Sequence, residues 1–422
     1  MVRAFVLLTG SELVRGDLRD DNGAFLAREL TRLGAQPERL VIVGDRPEEL
    51  GAALRQGLEA DLCVISGGLG PTHDDRTIEL LARETGRELE VDERLQAQIE
   101  AVSRAVADRL GMPYADFEQG VRKQASLPAG GVPLGLAGTA PAVLLEHDGR
   151  IAVALPGPPG ELRRLWGRVV EHEAVQRFLV AARPPERRLF RLFGPSESAV
   201  ARVLADAGDE EGGVEITVCA RDLEIVVDLV VPEGSAAAAE RVERSLRSAF
   251  SADLFAVDDQ RDVAEVVLEH ARRAGLRLAT AESCTGGLVG ARLTDIPGSS
   301  DVYVGGVVAY SDELKRSALG VPNETLLAFG AVSKETAAAM ARAARARLGA
   351  DVGVAVTGIA GPGGGTPEKP VGLVYIYAEC PGGNSAWSGC LPGDREAVRN
   401  RATALALHLL RQLLTQSSHE PA

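Results

Sequence analysis

The chain reads as an α/β protein: two α/β domains joined by a smaller α+β segment. Three observations predict this. Short apolar runs alternate with helical patterns at both ends of the chain, as βαβ units require. Between them lies a stretch in which one strand pattern follows another directly, after a composition break at 181–185. The length of 422 residues divides into two to four domains at roughly 100–200 residues each.

In order, the first domain (1–172) opens with a strand over 4–9 and a helix over 22–33, which Asp21 caps and Gly34 ends, with Leu26, Leu30 and Leu33 on one face. A strand over 40–43, a helix over 47–58 and a strand over 62–66 follow, and the pattern runs on to a helix starting near Glu161. These strands are apolar on both sides, as a sheet covered by helices demands. The connecting segment (183–257) reads as strand 189–193, helix 196–207, strands 215–220 and 223–231, and helix 236–250. The third domain (262–416) opens with Asp262 and Glu265 in a capping arrangement. Strands over 276–281, 302–310, 352–357 and 373–378 then alternate with helices over 336–348 and 395–414, and the tail from 416 is expected to fray.

Composition excludes several classes. With 45% hydrophobic and 25% charged residues, the chain has the profile of an ordinary soluble domain protein, and no apolar run is long enough for a bilayer. A net charge of -14 and 4% aromatic residues oppose a nucleic-acid partner, which needs positive potential and stacking surfaces. Five dispersed cysteines without a C-x-x-C pair suit a reducing cytoplasm and leave no zinc site.

After the strand ending at Ser66 comes a turn containing Gly67, Gly68, Gly70 and Thr72, then Asp74 and Asp75. Glycines between a buried strand and a helix let backbone N–H groups approach an anion, so the turn reads as a phosphate cradle. Adjacent carboxylates repel phosphate unless a hard divalent cation such as Mg²⁺ lies between them, although one of the two also suits the cap of the next helix. Glu12 and Asp45 follow neighbouring strands and belong at the same sheet edge. Lys123 and Thr139 offer a cation and a hydroxyl. Together with Asn22, Gly138-Thr139-Ala140-Pro141 and Pro156-Gly157-x-Pro159-x-Glu161, these residues resemble the amino-terminal half of the CinA family. The resemblance implies a molybdopterin-binding-like fold and divalent-cation-dependent hydrolysis of ADP-ribose to AMP and ribose 5-phosphate, with Asp74, Asp75 and Glu12 at the metal. Gly135 stands where the family has Asn, and Ala142 where it has Gly.

In the third domain a strand runs into Glu282-Ser283-Cys284-Thr285-Gly286-Gly287. A nucleophile on such a turn is presented outward, and the N–H groups after it suit an oxyanion. Cys284 wants a histidine base, yet His270 and His408 belong to amphipathic helices and His419 to the tail, so it reads as a small buried hydrophobe. Ser283 has a candidate base in Lys315, with Tyr310 to orient the pair, provided that burial or a nearby cation depresses the amine. With Gly305-Gly306-Val307-Val308-Ala309-Tyr310-Ser311, Gly330-Ala331-Val332-Ser333 and Thr357-Gly358-Ile359-Ala360-Gly361-Pro362, these motifs resemble the carboxy-terminal CinA domain. The resemblance implies nicotinamide mononucleotide deamidation by a Ser/Lys amidohydrolase needing no cofactor. It makes Ser283 the nucleophile, Lys315 the base and Tyr310 its assistant, with the turn from Thr285 to Gly287 at the oxyanion. Thr357 and Gly358 then meet the nucleotide, and Arg399 holds its phosphate.

The connecting segment resembles the KH-like region of the same family but has no G-x-x-G loop for nucleic acid, and reads as a spacer or dimerisation element. The expectation is a cytoplasmic homodimer acting on small nucleotides, with neither nucleic-acid nor membrane partner. Two other readings stand beside it: a regulatory protein of DNA uptake or repair, and a molybdopterin transferase-like amino-terminal unit.

Overall fold

The strands expected at the amino terminus form one sheet because their apolar residues need cover on both faces. In the computed structural model, which describes residues 2–181, 186–208, 213–258 and 261–417, these are β1 (Val2–Thr9), β2 (Ala35–Val43) and β3 (Leu62–Ser66). After a small pair, β4 (Leu89–Val91) with β5 (Ser126–Pro128), come β6 (Val132–Leu136), β7 (Pro141–His147) and β8 (Arg150–Leu155). The sheet order is β2-β1-β3-β8-β7-β6. The first four strands are mutually parallel, and the last two turn antiparallel. Helices Asn22–Arg32 and Pro159–Glu171 cover one face through Leu26, Leu30, Leu162 and Trp166; helices Pro47–Gly57 and Thr77–Glu84 cover the other through Leu50, Leu54, Leu80 and Leu81. Thr9 pairs with Val43, Leu8 with Ser66 and Ser66 with Leu155, so the four parallel strands end at a common edge. Loops leaving that edge converge, which is where α/β sites form.

Two local expectations are corrected here. Asp21 stands at the N-cap of its helix, but its side chain makes no capping bond; the neighbouring Asp20 supplies one instead, its Oδ1 accepting from Gly23 N at 2.9 Å. Neither Asp74 nor Asp75 caps the helix at Thr77, whose N-cap is Arg76 without a side-chain bond. The two departures from the family pattern, Gly135 and Ala142, are cross-strand partners on β6 and β7. Gly135 has φ +108, and a Cβ there would lie 1.8 Å from Arg168 Nη1: the arginine fills the space an asparagine side chain would need.

The chain divides into two units, 1–185 and 186–422; of the composition break expected at 181–185 all but residue 181 lies outside the described residues, as does the tail from 418. The second unit holds two sheets. The first contains β9 (Glu186–Phe193), β10 (Glu215–Arg221), β11 (Glu224–Val231) and the unanticipated β12 (Leu254–Val257), ordered β10-β11-β9-β12 and wholly antiparallel. Helices Glu197–Asp206 and Ala236–Ala249 cover it, with Phe190, Leu204, Val242 and Leu246 in the core. The other sheet has β13 (Leu278–Glu282), β14 (Tyr303–Val308), β15 (Val352–Gly358), β16 (Leu373–Cys380) and β17 (Gly383–Cys390), ordered β14-β13-β15-β16-β17. β13 is parallel to both neighbours, whereas β16 and β17 run antiparallel. Helices Val263–Arg273 and Arg395–Ser417 pack on one face and Lys334–Leu348 on the other. The expected cap is present in full: Asp262 Oδ1 accepts from Glu265 N, and Glu265 Oε2 from Asp262 N. Among the described residues no helix is long and apolar enough to cross a membrane.

Candidate functional site

At the common edge of the amino-terminal sheet lies a cavity of about 680 Å³. Glu12, Asp45, Gly67, Gly68, Gly70, Asp74, Asp75 and Thr139 line it, as do Asn22 and Glu161; Gly135 and Ala142 do not. Gly67 has φ +107, and a Cβ there would meet Thr9 O at 2.3 Å, so this glycine is required for the turn to pass against β1. Its N–H already bonds Leu155 O at 3.0 Å. Asp45 accepts from Thr9 Oγ1, Ser11 N and Ser11 Oγ at 2.7–3.1 Å, which fixes the loop after β1. Lys123 lines a smaller hollow of about 240 Å³ beside the same turn, its Nζ donating to Thr72 O.

Thr72 Oγ1 lies 2.5 Å from both Asp74 Oδ1 and Asp75 Oδ2. One hydroxyl proton serves a single carboxylate oxygen at a time, so the cluster keeps surplus negative charge and only oxygen donors, a set that suits a hard divalent cation. The hydrogen bond from Thr72 holds Asp74 below the usual carboxylate value. The expected trio of Glu12, Asp74 and Asp75 does not close, however. Among the described residues no group of three or more His, Cys, Asp or Glu side chains is placed to hold a metal. Only the two aspartates converge, and a cation there would need phosphate oxygens and water to complete its shell, as Mg²⁺ commonly does. Glu161 enters the cavity from the start of its helix, and burial pushes its carboxyl above the ordinary 4.5. Asn22 and Glu161 entered the sequence reading as motif residues without a role; the cavity now places both at the site.

In the second unit, Ser283 follows β13 directly and is 8% exposed, its N–H bonded to Val356 O at 2.9 Å. Cys284 belongs to the hydrophobic core, and its thiol is pushed up to about 12 by burial, which leaves it an apolar filler as expected. Ala309 N bonds Glu282 O, bringing the end of β14 beside the turn. Tyr310 then stands 57% exposed, its hydroxyl accepting from Arg395 Nη2 at 2.7 Å. Ser311 caps the short helix Asp312–Leu314, and Lys315 begins a π-helical turn over Lys315–Leu319, a geometry frequent at functional sites. Lys315 is only 2% exposed. Burial lowers its amine below the ordinary 10.5, against Asp312, whose Oδ1 is 3.7 Å away, and Cys284, both of which raise it.

The turn itself differs from expectation. Gly286 N bonds Ser283 O, and Gly287 N bonds Glu282 Oε2, each at 3.0 Å, so neither glycine N–H is free for an oxyanion. Glu282, 2% exposed, also accepts from Val289 N and Gly290 N; its place between a buried strand and the serine was the signal that was missed. Thr285 is fully buried and its Oγ1 has no hydrogen-bond partner among the described residues. Arg399 Nη2 bonds Thr285 O at 2.9 Å, which sets this arginine over the turn. Thr357 and Gly358 end β15, where the Thr357 hydroxyl donates to Ala331 O at 2.8 Å.

Residues 5–176 match the model of a probable molybdopterin binding domain, and residues 260–414 that of the CinA C-terminal domain. A CinA-like protein of Mycolicibacterium paratuberculosis is 42% identical over 98% of this chain and 99% of its own length. One from Mycolicibacterium vanbaalenii is 43% identical with the same coverage. The crystal structure of a competence/damage inducible protein from Agrobacterium tumefaciens covers 36% of this chain and 96% of its own, at 44% identity and a TM-score of 0.35. Full-length identity of this order, with both domain models in register along the chain, places it in the CinA family.

Proposed function

We propose that the chain is a bifunctional pyridine-nucleotide hydrolase. Its carboxy-terminal domain deamidates nicotinamide mononucleotide to nicotinate mononucleotide and ammonia. The observation that carries this reading is the buried Lys315, an amine depressed by desolvation beside the turn that bears Ser283. The uncharged Lys315 Nζ takes the Ser283 proton as Oγ bonds to the carboxamide carbon. The C–N bond then breaks, and ammonia leaves with the proton that Lys315 returns. Water attacks the resulting ester, giving its proton to Lys315 while the C–Oγ bond breaks, and the serine is restored. Arg399 is the partner for the substrate phosphate, and Tyr310 assists the lysine.

The amino-terminal domain hydrolyses ADP-ribose to AMP and ribose 5-phosphate. Asp74 and Asp75 would hold the divalent cation, which would supply charge neutralisation on the phosphates. Thr139 and Lys123 supply further donors to the phosphate oxygens.

Purified full-length chain tests both halves. Ammonia release from nicotinamide mononucleotide is expected to fall roughly 10³-fold or more in Ser283→Ala and to survive Cys284→Ala; the opposite pattern overturns the assignment. AMP formation from ADP-ribose is expected to stop under strong chelation and to collapse in Asp74→Ala. Persistence in both cases removes the cation from the reading.

A further inference from the structure

Arg395 and Arg399 stand four residues apart at the start of the helix Arg395–Ser417 and so share one of its faces. Arg399 Nη2 donates to Thr285 O on the turn that bears the nucleophile. Arg395 reaches two other segments with one guanidinium: Nη1 donates to Gly361 O at 2.6 Å and Nη2 to the Tyr310 hydroxyl at 2.7 Å. It therefore ties the loop after β15, which ends at Gly358, to the loop after β14, which ends at Val308. The helix start is itself fixed by Asp394, whose Oδ1 accepts from Ala397 N at 2.9 Å. A cation in the first turn meets the unfavourable end of the helix dipole, so Arg395 is held there for what its side chain does and not for the helix.

The direction of the bond to Tyr310 matters. A guanidinium has five donors and no acceptor, so the phenolic oxygen can only accept from it, and the phenolic proton has no acceptor among the described residues. Glu282 pairs with Val308, and Ala309 N bonds Glu282 O, so Ser283 and Tyr310 leave the sheet from neighbouring strands at the same level. Neither Gly286 nor Gly287 has an N–H to spare for an oxyanion. A phenol that accepts from a cation is a strengthened donor, because linked hydrogen bonds polarise one another. We propose that Arg395 is a positioning residue for deamidation: by pinning Tyr310 and Gly361 together it keeps the phenolic proton turned to the oxyanion that forms when Ser283 attacks. Tyr310 assists the lysine as that donor, and its proton stays on the phenol throughout. The proposal rests on the Ser283–Lys315 reading for the reaction and adds the residue that orients the donor.

Two rates measured on the full chain test it: ammonia release from nicotinamide mononucleotide, and labelling of Ser283 by a fluorophosphonate, which needs an attacking serine and a donor to the developing oxyanion but no nucleotide. Tyr310→Phe and Arg395→Gln are each expected to slow labelling roughly tenfold, the loss of about one hydrogen bond. The double variant is expected to be no slower than the slower single one, because both changes remove the same arrangement. In the ammonia assay each is expected to lower kcat while KM stays within about twofold, the mark of an interaction made in the transition state. A loss that falls on KM alone would make Arg395 a binder of the substrate phosphate, and losses that multiply in the double variant would make the two residues independent; either overturns the proposal. Arg395→Lys keeps the charge without the fork and is expected to stay slow, so full rates in it remove the bridge. Labelling of Ser283 without ammonia release would sink the nicotinamide reading and leave this one to the labelling rates, whereas a Ser283 that does not label overturns both.

Discussion

A lysine with almost no accessible surface has lost the water that stabilises its ammonium, and at Lys315 this outweighs the pull of Asp312. Two consequences follow from the one cause. Ammonia release is expected to rise with pH as the amine deprotonates, levelling off below the ordinary lysine value of 10.5. The same desolvation costs stability. Between the lowered folded value and 10.5 the unfolded chain binds more protons than the folded one, so wild-type stability climbs with pH in that window. Lys315→Met keeps the shape and removes the charge. It is expected to abolish deamidation, to stabilise the protein by roughly 1–2 kcal/mol near pH 7, and to lose the climb. Thermal melts of both proteins at neutral and alkaline pH check this, and a variant that melts lower at neutral pH would mean that the amine is not burdened by burial.

Elements are held at their ends, and the helix Leu288–Thr294 shows how one side chain can do it. Glu282 closes β13 and accepts from Gly287, Val289 and Gly290, tying the strand to the helix that follows. An anion at a helix N-terminus also meets the favourable end of the helix dipole. Glu282→Gln retains one acceptor but turns an amide N–H₂ toward backbone donors, at an expected cost of about 2–4 kcal/mol. The deamidase rate is expected to fall with it, because Ser283 rides on the same turn. Unchanged stability and rate by denaturant unfolding and ammonia assay would remove the anchoring role. The turn also marks where sequence was legible and where it was not. That Ser283 directly follows a strand was readable, because a buried apolar run ends at Glu282; the burial of Lys315 and the bond of Arg399 to Thr285 O depend on how distant segments pack. The fate of the N–H groups of Gly286 and Gly287 was not readable, because a carboxylate competes for one of them through space and glycine spacing carries no sign of that. Local pairs behaved likewise: the Asp262–Glu265 cap lies within four residues and was visible, whereas Asp20 displaced Asp21 by geometry alone. β17 escaped because Gly-Asn-Ser-Ala-Trp-Ser-Gly-Cys has little intrinsic strand preference and is extended through its pairing with β16.

Within the second unit, the four-stranded sheet meets the long helix Arg395–Ser417 at a buried imidazole. His408 is fully buried and stacks on Phe193 with centroids 3.7 Å apart and on the edge of Phe255 at 4.8 Å. Its Nε2 lies 2.8 Å from Glu224 Oε1, and Arg411 Nε donates to Nδ1 at 3.4 Å. The ring fits this junction in its neutral form: Nε2–H meets a carboxylate, while a second proton on Nδ1 would face a guanidinium. Burial accordingly lowers His408 below its ordinary 6.5 despite Glu224. The sign follows from proton counting. Between the lowered folded value and 6.5 the unfolded chain carries the extra proton, so stability falls as pH drops through that window. His408→Phe preserves the stack on Phe193 and removes the titrating group. At pH above the window it is expected to cost about 1–2 kcal/mol for the lost bond to Glu224. Below pH 6.5 the gap to wild type is expected to narrow, because only the wild type meets the cost of keeping a buried ring unprotonated. His270, also depressed by burial, adds an acid slope of the same sign, so the variant keeps part of it. Denaturant midpoints measured from pH 5 to 8 decide the matter: parallel curves for the two proteins would mean that the junction is insensitive to the protonation of His408.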